Sequence, residues 1–204
     1  MEYDGNSGAT PQGIMVLLAT YNGAKFLGKQ FDSLFAQSVD NIDILVSDDG
    51  STDETPHLLA QRLTRWPNGE MRIVPGPRQG FAANFRHLVR LAGNDHAYYA
   101  FCDQDDVWHR DKLSRAVKWH TQQDSDRPAL YCTRTRLIDA EDAHLGFSPL
   151  FTQPPGFRNA LVQSLAGGNT MVLNSAAFDL LRRSLDRTEI LMHDWWSYLI
   201  VTGA

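Results

Sequence analysis

The chain alternates short apolar runs with stretches of helical periodicity. Ile14-Met15-Val16-Leu17-Leu18-Ala19 is continuously apolar and bounded by turn residues, the form of a strand buried on both faces. After the loop Thr20-Tyr21-Asn22-Gly23, the residues Phe26, Leu27, Phe31, Leu34 and Phe35 recur at helical spacing up to Gln37. Ile42 to Ser47 reads as a second strand and runs into Asp48-Asp49-Gly50. Ser51-Thr52-Asp53-Glu54 has the form of a capping box, with Ser51 as N-cap, and predicts a helix to about Arg65. Trp66-Pro67-Asn68-Gly69 breaks it, and Met71 to Val74 is a short third strand. Phe81, Phe85, Leu88, Val89 and Ala92 mark the next helix face. Ala97 to Cys102 is a fourth strand, delivering Asp103-Gln104-Asp105-Asp106-Val107-Trp108, and Leu113 to His120 a fourth helix.

Four strand–helix alternations with short connections predict an α/β domain. Its sheet should be mostly parallel, with helices on both faces and right-handed crossovers. In such sheets ligands bind beyond the carboxyl ends of the strands. Three of those ends carry polar signatures here: Thr20 to Gly23, Ser47 to Gly50 and Asp103 to Asp105. Gly23 and Gly80 can supply backbone freedom at strand-to-helix turns.

The second half is less regular. Ala129 to Thr133 and Arg136 to Ile138 read as strands, and the proline-rich Ser148 to Phe157 as a loop or flap. Asn159 to Leu165 predicts a short helix. Gly167-Gly168-Asn169 leads into a strand from Thr170 to Leu173, and Asn174 or Ser175 caps a helix to about Leu185. His193-Asp194-Trp195-Trp196 opens a mostly apolar final helix.

The length of 204 residues suits one domain, and Met1 to Gly13 reads as a flexible polar tail. The net charge of −5 gives no bulk attraction to nucleic acid or an anionic membrane. No stretch is long and apolar enough to span a bilayer, and the N-terminus lacks the regions of a signal peptide. The two cysteines, Cys102 and Cys132, read as core residues in a reducing compartment.

Several chemistries are excluded. No G-x-G-x-x-G follows the first strand, and there is no P-loop. The Asp103 stretch lacks the spacing of a calcium-binding hand loop, and no serine sits in a nucleophile elbow. What remains is a nucleotide pocket without a phosphate-cradling loop. In it, two Asp at i and i+2, Asp103 and Asp105, can address one hard cation such as Mg²⁺ or Mn²⁺ and so neutralise a diphosphate. Tyr21 can offer a ring face to a base, Asp48 or Asp49 can accept a pyrimidine N–H, and Asn84 can reach the ligand from the first turn of its helix.

These segments in this order resemble the family 2 glycosyltransferases of the GT-A fold. The resemblance rests on Ala19-Thr20-Tyr21-Asn22-Gly23, Ser47-Asp48-Asp49-Gly50-Ser51-Thr52-Asp53, Gly80-Phe81-Ala82-Ala83-Asn84 and Asp103-Gln104-Asp105-Asp106-Val107-Trp108. The Asp-Gln-Asp-Asp-x-Trp form and His193-Asp194-Trp195-Trp196 are similar to the bacterial rhamnosyltransferase-like branch. The resemblance implies a single GT-A domain over 14–204. Its nucleotide-binding half would cover about 14–120 and its acceptor half about 121–204. It also implies a nucleotide-diphosphate sugar donor (a dTDP- or UDP-sugar, with rhamnose as the branch's suggestion), a divalent metal and inversion at the anomeric carbon.

Carried over, Asp105 is the direct metal ligand, and Asp103 approaches the ribose or the metal. Thr20, Tyr21, Asp48, Asp49 and Asn84 line the nucleotide, and Asp194 is the catalytic base. Gly168, Asn169, His193 and Trp195 face the acceptor, with His193 orienting Asp194. The setting implied is surface polysaccharide synthesis in the bacterial cytoplasm, at the inner face of the membrane. A carbohydrate or lipid-linked acceptor there is compatible with peripheral membrane contact. The branch continues past the last helix to a segment whose His joins the metal. The apolar end at Thr202-Gly203-Ala204 has no stop signal, which predicts a truncated chain. An inactive nucleotide-sugar-binding domain is the rival reading. A sugar-nucleotide pyrophosphorylase is a second, which the lack of a Gly-rich basic loop after the first strand disfavours.

Overall fold

The computed structural model describes residues 12–204 apart from 186, 187 and 189; the first eleven residues of the expected tail lie outside that set. In chain order the elements are β1 (Ile14–Thr20), α1 (Ala24–Phe35), β2 (Ile42–Asp48), α2 (Thr55–Leu63), β3 (Met71–Pro75), α3 (Phe81–Leu91), β4 (Tyr98–Cys102) and α4 (Lys112–His120). Then follow β5 (Leu130–Tyr131), β6 (Arg136–Ile138), β7 (His144–Phe147), α5 (Phe157–Ala160), a 3-10 turn (Gly168–Thr170), β8 (Val172–Asn174), α6 (Ser175–Ser184) and α7 (His193–Gly203).

Six strands form one sheet in the order β3-β2-β1-β4-β8-β5. The first four are mutually parallel, and β8 runs antiparallel to both β4 and β5. β1 lies in the interior of the sheet and is buried along its whole length, which is why its sequence is a continuous apolar run. Its side chains alternate between faces. Met15, Leu17 and Ala19 join Phe85, Tyr99, Phe101 and Phe178 on one side. Ile14, Val16 and Leu18 join Leu27, Phe31, Ile44 and Leu113 on the other. The register pairs Thr20 with Asp48 and Leu18 with Cys102, so the carboxyl ends of β1, β2 and β4 finish together. Among the described residues no helix is long and apolar enough to cross a membrane.

Four sequence expectations need correction. The capping box does not form. The N–H and hydroxyl of Ser51 both donate to Asp48 Oδ1, at 3.0 and 2.6 Å, so the chain turns back on Asp48 and α2 begins only at Thr55. The expected helix from Asn159 to Leu165 starts earlier and is shorter, with Gly156 as its N-cap. A β6–β7 hairpin emerges where only its first strand was expected, because exposed strands carry little apolar alternation. Gly23 has φ −94°, so its role is room and not left-handed backbone: a Cβ there would run into Gln104 Oε1. Gly80, with φ +85°, does use the conformational freedom of glycine. Cys102 is a buried free thiol as expected, while Cys132 is only partly buried.

Asn174 pins the antiparallel side of the sheet. Its Oδ1 accepts from Ala177 N at the start of α6 and from Ala129 N, while Nδ2 donates to the carbonyls of Arg127 and Ser125. Asn174→Ala removes the cap and leaves these buried groups unpaired, and is expected to cost about 2–3 kcal/mol in urea unfolding.

Candidate active site

Two loops beyond the carboxyl ends of β1 and β2 are fastened to each other. Asn22, in the left-handed region at φ +48°, donates its N–H to Ser51 Oγ and accepts from Thr52 N at Oδ1. Gly23 N donates to Thr55 Oγ1, and Ala24 N to Asp53 Oδ2. Asp53 Oδ1 takes Thr55 N, so this one carboxylate serves the first residues of both α1 and α2. Asn22, Ser51, Thr52 and Asp53 thus frame the two loops. Asp48 belongs with them: its carboxylate holds Ser51, and it does not line the cavity described next.

Asp49 faces the other way. Its Oδ1 accepts Arg78 N at 2.5 Å and its Oδ2 accepts Gly80 N at 2.8 Å, which fastens the β3–α3 loop across the sheet end. Arg78 is held in the left-handed region, φ +58°, a conformation costly for a non-glycine residue and typical of functional loops. A cavity of about 580 Å³ lies between these loops. Thr20, Tyr21, Asp49, Asn84, Asp103 and Asp105 of the expected site line it, together with Arg78, Phe81 and Gln104, which the sequence did not single out. Tyr21 is half exposed and presents its ring. Asn84 is buried, donates Nδ2 to Ser47 O and leaves Oδ1 without a partner among the described residues. The size suits a nucleotide-sized ligand.

At the end of β4 the chain brings carboxylates together. Gln104 Oε1 accepts from Thr20 Oγ1 and Tyr21 N, locking the acidic loop to β1. Burial pushes the Asp103 carboxyl up to about 7, and Asp106, Asp105 and Asp194 push it the same way. Asp106 is raised by burial too, partly offset by the Asn169 Nδ2–Oδ1 bond of 2.8 Å; its Oδ2 has no partner among the described residues. Lys112 lies against the same cluster. It donates to Asn169 O at 2.8 Å and sits 3.9 Å from the centre of the Trp108 ring, and burial pulls it down to about 8. Trp108 is buried and anchors the loop through its backbone N–H to Ser33 Oγ, whereas Val107 is half exposed.

A second chamber of about 260 Å³ continues from the first. They share Phe81, Asp103 and Asp105, and Asp106, Gly168, Asn169, His193 and Asp194 complete its walls. Asp194 therefore stands across from the acidic loop, on the first turn of α7, with Oδ1 accepting the N–H of Trp195. His193 stacks on Phe85 with ring centres 3.8 Å apart and meets Phe101 edge-on. Burial pulls it down to about 4, so at neutral pH it is an uncharged aromatic wedge. Gly168 approaches so closely that a Cβ there would collide with His193 Nε2. Trp195 is not brought to this chamber: its indole N–H goes to Ala160 O, tying α7 to α5.

The donor set of the acidic loop is hard oxygen, as a divalent cation requires. The convergence of Asp103, Asp105, Asp106 and Asp194 leaves negative charge that such an ion would relieve. Among the described residues, no cluster of three or more His, Cys, Asp or Glu can hold a metal unaided.

The sheet, its helices and the polar cleft beyond the strand ends define the GT-A class of glycosyltransferase folds. The chain belongs to glycosyl transferase family 2, whose model matches residues 15–188. It is 33% identical to the dTDP-rhamnosyl transferase RfbG of Shigella flexneri over 195 residues, 89% of this chain and 63% of that protein. It therefore spans less than two thirds of this relative's length. The solved structure of S. aureus TarS 1-349 with UDP-GlcNAc superposes with a TM-score of 0.66 at 15% identity, covering 94% of this chain and 53% of that one. The mannosyltransferase PcManGT from Pyrobaculum calidifontis, with GDP-Man and Mn²⁺, gives 0.62 at 20% identity, covering 95% and 54%. At these identities the two structures speak to the fold alone.

The depressed His193 sets a pH dependence. The unfolded chain binds a proton near 6.5 and the folded chain only near 4, so stability is lost as pH falls through that window. The stability advantage of the wild type over His193→Gln should therefore narrow between pH 7 and pH 4, by up to about 3 kcal/mol in paired urea titrations.

Proposed function

We propose that this chain catalyses inverting transfer of a sugar from a nucleoside diphosphate to a hydroxyl of a carbohydrate or lipid-linked acceptor. The observation that carries this reading is the pair of joined chambers, one nucleotide-sized and one sugar-sized, which share Asp103 and Asp105 and set Asp194 across from them. In the proposed assignment the base and ribose occupy the first chamber. Tyr21 offers its ring, Asp49 has lone pairs left for a base N–H, and Arg78 supplies positive charge. Residues 14–120 then form the donor half and 121–204 the acceptor half of one domain.

The sugar enters the second chamber. As the acceptor oxygen attacks the anomeric carbon, its proton passes to an Asp194 carboxylate oxygen. The bond from that carbon to the diphosphate breaks on the opposite face, and its electron pair leaves with the diphosphate oxygen. Asp103 and Asp105 would hold a divalent cation, which neutralises the departing diphosphate when bound. These two carboxylates alone would leave a cation incompletely held, so its binding would be coupled to that of the nucleotide. The donor suggested by the similarity to RfbG is dTDP-rhamnose, with UDP-sugars as the nearest chemical alternative. The setting suggested by the same resemblance is surface polysaccharide assembly on the cytoplasmic side of a membrane.

Calorimetry with UDP and dTDP tests the coupling. Each nucleotide should bind more tightly with Mn²⁺ present, and Asp105→Ala should abolish that increment; an unchanged increment refutes the ligand role. Asp194→Asn should leave nucleotide affinity intact and slow transfer by about 10²–10⁴-fold in a product-release assay. Transfer at the wild-type rate in that variant removes Asp194 as the base, and nucleotide binding without any turnover in the wild type returns the chain to a binding role.

A further inference from the structure

The two chambers do not end at Asp194. A groove of about 470 Å³ opens on the other side of Asp105, Asp106 and Asn169, which it shares with the sugar chamber. One wall is the loop before α4 and the first turns of that helix. The other is the stretch from Tyr131 through β6, with Phe147 of β7. Arg134, just before β6, and Arg136, its first residue, both line the groove. Phe147 pairs directly with Arg136 across the hairpin.

The charge of this groove runs against that of the molecule. The chain carries 24 acidic and 19 basic residues. Here Lys112, Arg115, Arg134 and Arg136 face Asp105 and Asp106, and both acids stand at the end that meets the sugar chamber. Two of the cations are already occupied. Lys112 is committed to Asn169 O, and Arg134 donates twice to Ser148 O while lying over Phe147. The other two are available. Arg115 makes one long 3.4 Å contact with Asp111, itself partly exposed, and the Arg136 side chain makes no hydrogen bond or ion pair with any described residue. Guanidinium groups are suited to planar, two-point recognition of carboxylate and phosphoryl oxygens. Tyr131 and Phe147 give the same groove apolar faces on which a sugar ring can lie.

We infer that this groove is the outer part of the acceptor site and that it takes an anionic saccharide. The sugar receiving the glycosyl unit sits beside Asp194, and a carboxylate or phosphoryl group attached to it or to its neighbour is held by Arg115 and Arg136. This rests on the donor reading above, because the direction from nucleotide to sugar to groove is what makes the groove an acceptor site.

The test uses the intact chain saturated with UDP and Mg²⁺. Glucose 1-phosphate, glucuronic acid and methyl glucoside are titrated while protein NMR shifts are followed. The anionic probes should bind about tenfold more tightly than methyl glucoside, and the advantage should shrink with added salt. Arg115→Gln combined with Arg136→Gln should erase the advantage and leave UDP affinity unchanged. The tighter of the two anionic probes then identifies the group as phosphoryl or carboxylate. No anionic advantage in the wild type, or one that survives the double substitution, overturns the inference. A wild type that fails to bind UDP overturns the donor reading instead, and the three probes without UDP still report on the groove.

Discussion

Carboxylates that cannot all remain charged in one another's company organise this molecule. β4 leaves a fully buried sheet centre and releases Asp103, Asp105 and Asp106 within four residues, and α7 sets Asp194 across from them. Burial and mutual repulsion raise Asp103 to about 7, a repulsion that the divalent cation proposed for this site would relieve. Lys112 offsets part of this charge, but it is drawn down by its own burial and held by the Asn169 carbonyl and the Trp108 ring. Its position braces the loop from below while leaving Asp103 and Asp105 open to the cavity. The acidic loop is thus held by packing around Trp108 and by Gln104, whose amide oxygen ties the loop to Thr20 and Tyr21.

The same economy explains why short polar motifs recur at the strand ends. Many of their residues bond to the neighbouring loop. Asn22, Ser51, Thr52 and Asp53 satisfy each other's backbone groups, so that two loops with little apolar content can hold a fixed shape. Asp48 and Asp49 are adjacent yet divide the work, because successive side chains at a strand end point to opposite faces. Asp48 turns inward to the loop framework. Asp49 spans to Arg78 and Gly80 and borders the cavity.

This division shows what the sequence could reveal. The four parallel strands and their helices were legible because burial on both faces forces continuous apolar runs in β1 and β4 and the apolar Ile44-Leu45-Val46 of β2, and a single buried stripe forces helical spacing in α1 and α3. The order of polar strand ends then located the cleft. What stayed hidden depends on contacts between distant segments. The capping box at Ser51 was locally plausible, and Asp48 overrode it. Arg78 sits in a loop of ordinary composition, and its place in the cavity follows from a hydrogen bond to Asp49, twenty-nine residues earlier. Lys112 reads as the first residue of a solvated helix until the fold brings Asn169 and Trp108 to it. Trp195 shared a motif with His193 and Asp194, but helical geometry turns it toward Ala160. The β6–β7 hairpin, with half-exposed Phe147 and exposed Arg136, has no core-facing pattern to betray it.

The cleft is therefore ordered along one line, from the nucleotide-sized cavity through the Asp194 chamber to the cationic groove. The order has a physical consequence for what can vary independently. The first cavity is framed by loops hydrogen-bonded to one another across β1, β2 and β3, so a change there disturbs the framework as well as any contact with a ligand. The groove is framed by exposed side chains on a two-stranded hairpin that pairs with no strand of the main sheet. Arg115 and Arg136 can be exchanged without loss of a buried hydrogen bond, at a cost in fold stability close to that of any surface substitution. In the proposed assignment, acceptor selectivity can thus change while the cavity lined by Asp49, Asp103 and Asp105 keeps its shape. The cavity end is held by hydrogen bonds between its loops, whereas Arg115 and Arg136 hold no buried partner at the groove end.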